Sequence, residues 1–211
     1  MTGHDIKAYF AANYPESDAF EWDHVGLQVG DLNREITKVM LTLDVTQAVV
    51  EEAIQAGANF IVSHHPLIFH PVQSMDLATP EAQLIETLIR RDMTVYSAHT
   101  NYDVGIPGMN GVMADLLGLK DVKVLNPDAP GHGIGSTGNV DEMPLSEFLR
   151  HVKKAFDVPQ VTLVTSHALD TPVSRIALSG GSGSDDLIYA LKSGVDLFMT
   201  GDIKHHTALE M

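Results

Sequence analysis

Two stretches of this chain repeat each other, and that repeat limits the fold more than any other feature. Ile36–Leu41 (ITKVML) matches Val173–Leu178 (VSRIAL). Further along, Ala53–Ser63 (AIQAGANFIVS) matches Ala190–Thr200 (ALKSGVDLFMT) without a gap, Ala53 falling on Ala190 and Gly57 on Gly194. In each copy an apolar strand pattern precedes a helical pattern that stops at glycine, and a second apolar strand follows. Such β-α-β units build parallel sheets covered by helices. The expected fold class is therefore α/β, with two similar halves and mostly parallel sheets.

Local patterns fill in the first copy. Lys38–Leu43 reads as a buried strand ending at Asp44, and Thr46–Ala56 as a helix with Val49, Val50, Ala53 and Ile54 at helical spacing. Asn59–Ser63 is a second strand that runs straight into His64-His65-Pro66. Thr79-Pro80-Glu81 opens a helix with a cap residue and a first-turn proline, and that helix carries Leu84, Ile85, Leu88 and Ile89. Strand Thr94–Ser97 follows. The expected division is a first half over 1–120, an irregular connector rich in Gly, Pro and Asn over 121–142, and a second half over 143–211. Within the second half, Pro144–Phe156 reads as a helix and Gln160–Ser166 as a strand.

Open parallel sheets hold ligands beyond the carboxyl ends of their strands. His64, His65, His99, Asp103 and Asp202 all follow predicted strand ends, so the fold collects them on one edge. The chain has no cysteine, which excludes disulfides, iron–sulfur ligation and thiolate nucleophiles, so a metal site here uses His, Asp, Glu and water. The formal net charge is −15, from 13 basic against 28 acidic side chains, and a surface this acidic disfavours direct nucleic-acid binding. A small anionic substrate stays compatible with that charge if metal ions supply local positive charge. No apolar run approaches the roughly 20 residues that span a bilayer, and MTGHDIKAYF lacks the pattern of a secretory signal. A cytoplasmic location and no membrane partner are expected.

Among the histidines, the pair His64-His65 carries most weight. Successive strand residues point to opposite faces, so two adjacent histidines are not both core packing, whereas at a strand end both rings can face one cavity. Neutral imidazole is a common metal ligand near pH 7. The plainer reading is a solvated loop pair, against which Phe60-Ile61-Val62 argues. In Ser97–Asp103 (SAHTNYD), Asp103 is either a carboxylate ligand or a loop and cap residue, and His99 either a supporting partner or an acid/base. The run Ser179–Ser184 (SGGSGS) reads as a tight strand-to-helix turn more readily than as a phosphate cradle, because Asp185 and Asp186 stand at its mouth. His206 and Glu210 are four apart, on one helical face, a spacing also common by accident. His4, His132, His151 and His167 read as surface or packing residues.

Several blocks occur in a familiar order: Trp22–Gly30 (WDHVGLQVG), Ser63–Phe69 (SHHPLIF), His99–Asp103 (HTNYD) with Gly105–Asn110 after it, Gly180–Gly183 (GGSG) and Thr200–His206 (TGDIKHH). Together they resemble the GTP cyclohydrolase 1 type 2-like proteins, also called the Nif-three-like family, over nearly the whole chain. The resemblance implies two divalent metal ions per subunit, of iron, zinc or manganese. It implies that His64 and His65 are ligands to different metals and Asp103 a third ligand, in a site at strand carboxyl ends between the halves. It also implies a toroidal homohexamer. The family's remaining ligands, a His and a bridging Glu in a Gly-His-x-x-(Thr/Ser)-Glu block, do not occur within the 211 residues. Met211 falls inside the preceding predicted helix, so the C-terminal end of the second half is expected to be truncated. The inserted domain of some relatives does not fit a chain of this length.

The expected function is a dinuclear metal-dependent hydrolase acting on a small molecule such as a nucleotide. The resemblance implies opening of the GTP purine ring, although no residue here specifically reads guanine. His99, Asp202 and His206 are the candidates for proton transfer or support. The alternative is a non-catalytic metal-binding hexamer that acts through partners.

Overall fold

The near-continuous apolar runs at Phe60–Ser63 and Thr94–Ser97 are those of strands buried on both faces. The computed structural model describes residues 1–104, 108–129 and 131–209, in two compact units, Met1–Tyr102 and Asp103–Met211. The first unit runs α1 (Gly3–Asn13), β1 (Gly26–Val29), β2 (Val39–Thr42), α2 (Gln47–Ala56), β3 (Phe60–Ser63), α3 (Pro80–Arg90), β4 (Thr94–Ser97) and α4 (Thr100–Asp103), the last residue of α4 opening the second unit. Its sheet has the order β1-β4-β3-β2. β2, β3 and β4 are parallel, and β1 pairs antiparallel with β4. Ile61 and Val95 turn to one face, where Val50 and Ala53 of α2 and Ile85 and Leu88 of α3 cover them. Phe60 and Tyr96 turn to the other, against Ile6 and Phe10 of α1. The caps fall where the sequence puts them: Thr46 and Thr79 accept from the third residue on, and Gly57 takes the left-handed conformation that ends α2.

The second unit runs α5 (Met109–Leu116), β5 (Lys120–Ala129), β6 (His132–Pro144), α6 (Leu145–Ala155), β7 (Pro172–Ser179), α7 (Leu187–Ser193), β8 (Leu197–Thr200) and α8 (His205–Leu209), with sheet order β5-β6-β7-β8. The sequence repeat is a structural repeat here, residue for residue. In the first unit Val39 lies beside Phe60 and Thr42 beside Ser63. In the second, Ile176 lies beside Leu197 and Ser179 beside Thr200. The side-chain bonds repeat as well. Thr37 donates its backbone N–H and hydroxyl to Asn59 Oδ1, and Ser174 does the same to Asp196 Oδ2. At the strand ends Ser63 Oγ donates to the His65 carbonyl and Thr200 Oγ1 to the Asp202 carbonyl.

Four expectations need correction. Residues 121–142, expected to be an irregular connector, belong to the long antiparallel hairpin β5–β6. The second sheet is consequently mixed rather than mostly parallel, since β6 also pairs antiparallel with β7. The first unit ends at Tyr102 instead of at 120, because α5 packs on β6 and β7. Gln160–Ser166 forms no strand: Val161 and Val164 face solvent, and only Leu163 packs against the core.

Candidate metal centre

The parallel register of the first sheet assembles the site. Ser63 at the end of β3 lies beside Ser97 at the end of β4, their hydroxyls 2.7 Å apart. Carried past those ends, the same register sets His64 beside Ala98 and His65 beside His99, and the Ala98 N–H still donates to the Ser63 carbonyl. On the other flank, the backbone N–H groups of His64 and His65 donate to the carbonyls of Thr42 and Leu43. Main-chain bonds therefore fix the adjacent pair on the β2 flank and the residue before it on the β4 flank. The three imidazoles form a triangle, with ring centres 5.1 Å apart for His64 and His65, 5.0 Å for His64 and His99 and 5.5 Å for His65 and His99. One nitrogen from each lies within 4.8 Å of those of the other two.

Each ring is anchored at Nδ1. His64 Nδ1 is 3.0 Å from the Ala98 carbonyl, His65 Nδ1 2.7 Å from Asp44 Oδ1 and His99 Nδ1 3.0 Å from Asp23 Oδ2. A carbonyl or carboxylate oxygen only accepts, so Nδ1 donates in all three, and a neutral ring then carries its lone pair on Nε2. An oxygen behind each imidazole is the usual arrangement of metal-ligating histidine. Burial, followed by the neighbouring His99, pulls the His64 pKa down to about 4, so the ring is neutral and able to ligate near pH 7. The donor set fits a borderline divalent ion.

Asp23 is a residue that sequence reasoning missed, although it stands in the Trp22–Gly30 block. Burial works to raise its pKa, but hydrogen bonds from Thr100 and His99 outweigh it and hold the carboxyl below its ordinary value. Around His99 the surface is aromatic: the ring centres of Trp22 and Phe69 are 6.1 and 6.5 Å from that of His99 and 5.9 Å from each other. A cavity of about 470 Å³ lies alongside, lined by Phe20, Asp23, His24, Leu27, Gln28 and Ile68 among others.

The remaining candidates lie in the second unit. Asp103 ends α4, and its carbonyl accepts from Asn110 Nδ2 at 3.0 Å. Asp202 is exposed just past β8, at the repeat position of His65, and its N–H donates to the Gly181 carbonyl. His206 is exposed on α8 beside His205, while Glu210 lies outside the described residues, as do Gly105, Ile106 and Pro107 of the block after Asp103. The glycine-rich segment is a tight turn: Asp186 accepts from Ser179 Oγ and Asn126 Nδ2, and Lys204 Nζ sits 3.1 Å from Asp185.

Comparison with known proteins matches the whole described architecture. The family described as Duf34/NIF3 (NGG1p interacting factor 3) matches residues 1–211. A "GTP cyclohydrolase 1 type 2 homolog" of Lactococcus lactis is 39% identical over 198 residues, covering 93% of this chain and 76% of that protein. One of Streptococcus pneumoniae is 35% identical, covering 100% and 80%. Among solved structures, a Bacillus cereus "protein related to NIF3" superposes with a TM-score of 0.92 at 28% identity, over 100% of this chain and 85% of that one. A Staphylococcus aureus hypothetical protein gives 0.90 at 33%, over 100% and 82%.

Proposed function

The chain belongs to the Duf34/NIF3 family, and from that premise we propose that it is a divalent-metal-dependent hydrolase whose metal is held by His64 and His65. The observation that carries this reading is the triangle of imidazoles, each with Nδ1 tied to an oxygen. Such a triangle is costly to build for packing alone, since it crowds three rings that repel one another once protonated. When bound, a divalent ion supplies Lewis-acid polarisation of an electrophile and a more acidic water. Asp44 and the Ala98 carbonyl hold the two ligand rings in place, and His99 moves a proton at Nε2. Asp103 completes the ligand set and two ions are held per subunit, a reading supported by the family resemblance of the His99–Asp103 block. Asp202 and His206 serve as support in the second unit. The substrate is a small molecule with a hydrolysable ring or ester, a nucleotide such as GTP among them, and the relatives' names support that class.

The test is a screen of metal-loaded full chain against nucleotides, phosphoesters and cyclic amides, with His65→Ala and Asp103→Ala alongside. Outer partners of metal ligands are worth about 10–100-fold in activity, so loss of a ligand is expected to cost more than about 100-fold. A second reading, a non-catalytic metal-binding homohexamer, draws on the exposed Leu41 of the edge strand β2 and Leu43 just after it. Stoichiometric metal with no turnover on any of the three classes selects it.

A further inference from the structure

Of the three carboxyl or carbonyl oxygens behind the imidazoles, one is built differently. Asp44 behind His65 is 57% exposed, whereas the Asp23 side chain behind His99 is 0% exposed. Asp23 Oδ2 accepts from His99 Nδ1 at 3.0 Å, from the Thr100 backbone N–H at 3.1 Å and from Thr100 Oγ1 at 2.6 Å. Its Oδ1 accepts from the His24 N–H at 2.9 Å. A buried carboxylate persists only when hydrogen bonds replace its lost hydration, and three of these four donors come from His99 and Thr100. Out of water, such a bond is stronger than the same bond at the surface.

The chemistry at His99 follows from which nitrogen is protonated. With Nδ1–H directed at a carboxylate, the neutral ring keeps a lone pair at Nε2, and the ring centres of His64 and His65 lie 5.0 and 5.5 Å from that of His99. We propose that Asp23 is a positioning residue that fixes His99 in the Nδ1–H tautomer, so that Nε2 accepts the proton released when water adds to a substrate held beside His64 and His65. The inference rests on the hydrolase reading above. The proton moves from water to Nε2, and the ring becomes an imidazolium whose Nδ1–H still faces the Asp23 carboxylate. Positive charge thus forms against a fixed negative one, and the same proton is available to the leaving group. The exposed Asp44 carboxylate orients His65 more loosely, because solvent screens it.

The experiment reads the tautomer directly. In histidine-¹⁵N-labelled full chain, a long-range ¹H–¹⁵N correlation identifies the protonated ring nitrogen, with His99 assigned from the His99→Gln spectrum. The wild type is expected to show Nδ1–H. Asp23→Asn is expected to shift His99 toward Nε2–H or a mixture, and to lower kcat by about 10–100-fold with KM nearly unchanged. Asp23→Glu should retain the tautomer and recover part of kcat, and Thr100→Val should retain the tautomer. An Nε2–H ring in the wild type overturns the proposal, as does an Asp23→Asn protein with unaltered tautomer and kcat. If Asp23→Asn fails to fold, the wild-type and Asp23→Glu spectra still decide, since an Nε2–H ring in either refutes it. Absence of turnover in the wild type would sink the hydrolase reading alone, leaving the tautomer result to stand or fall separately.

Discussion

At the scale of single residues, His64 links the site's chemistry to its stability. Burial first, and His99 second, disfavour its cation and lower its pKa from the ordinary 6.5 to about 4. In metal-free protein the unfolded chain takes up this proton below about 6.5, while the native chain takes it up only near 4. The unfolded state binds more protons in that window, so stability rises with pH through it. The contribution is fully present above 6.5 and lost as pH falls toward 4, by roughly 2–3 kcal/mol for a shift of this size in a partly buried group. Urea midpoints in the presence of chelator should therefore fall across that window in the wild type and fall less in His64→Gln. Parallel curves for the two proteins would show that His64 is not the source. The pair His64-His65 was legible in the sequence because adjacency at the end of an apolar strand is a local signal. Asp23 was not legible, because its partners lie 76 and 77 residues away. They meet through the antiparallel pairing of Gly26 with Ser97, in a segment with no hydrophobic period to announce it.

At the scale of elements, legibility followed the apolar repeat. Strands β2, β3, β7 and β8 and helices α2 and α7 appeared in the sequence because branched apolar residues alternate before glycine stops. The hairpin β5–β6 did not appear, because the central strand β6 is made largely of small residues. Gly135 and Gly138 let the strands close up: a Cβ at Gly135 would stand 2.8 Å from the Leu178 carbonyl oxygen, and one at Gly138 2.9 Å from that of Lys120. Such a strand carries no hydrophobic alternation to read. The two kinds of glycine predict different costs. Gly57 and Gly194 both have left-handed φ, 72° and 62°, with nothing within 4 Å of an added Cβ. Alanine at either should cost about 1 kcal/mol of conformational strain, and the two costs should add, because the sites share no partner. Gly135→Ala combines a φ of 72° with the clash and should cost more than about 2 kcal/mol. Urea titrations of the three single variants and of the Gly57→Ala/Gly194→Ala double variant check this order, and equal costs at Gly57 and Gly135 would refute the packing argument.

At the scale of the whole molecule, the controlling quantity is charge. A chain of net charge −15 gathers three imidazoles at one sheet edge, with carboxylates behind two of them. Such a surface concentrates cations around itself, and among the described residues no helix is long and apolar enough to cross a membrane. A divalent ion that binds the native chain alone stabilises it by RT ln(1 + [L]/Kd), about 2.7 kcal/mol at a hundredfold excess over Kd. For a chain of this size that corresponds to a rise in Tm of roughly 5–10 °C. The expected result is a metal-dependent Tm in the wild type that His65→Ala abolishes and chelator reverses. Asp103→Ala carries the sharper question. If Asp103 joins the histidines in holding two ions, isothermal titration should find two equivalents bound per wild-type chain and a reduced number or affinity in Asp103→Ala. One equivalent in the wild type, undisturbed in Asp103→Ala, would restrict the ligand set to the pair His64 and His65. Sedimentation of the same samples tests the homohexamer, whose mass should be six times that of the chain whether or not metal is bound, since the exposed Leu41 and Leu43 that favour association lie on strand β2 and the segment after it, not among the ligands.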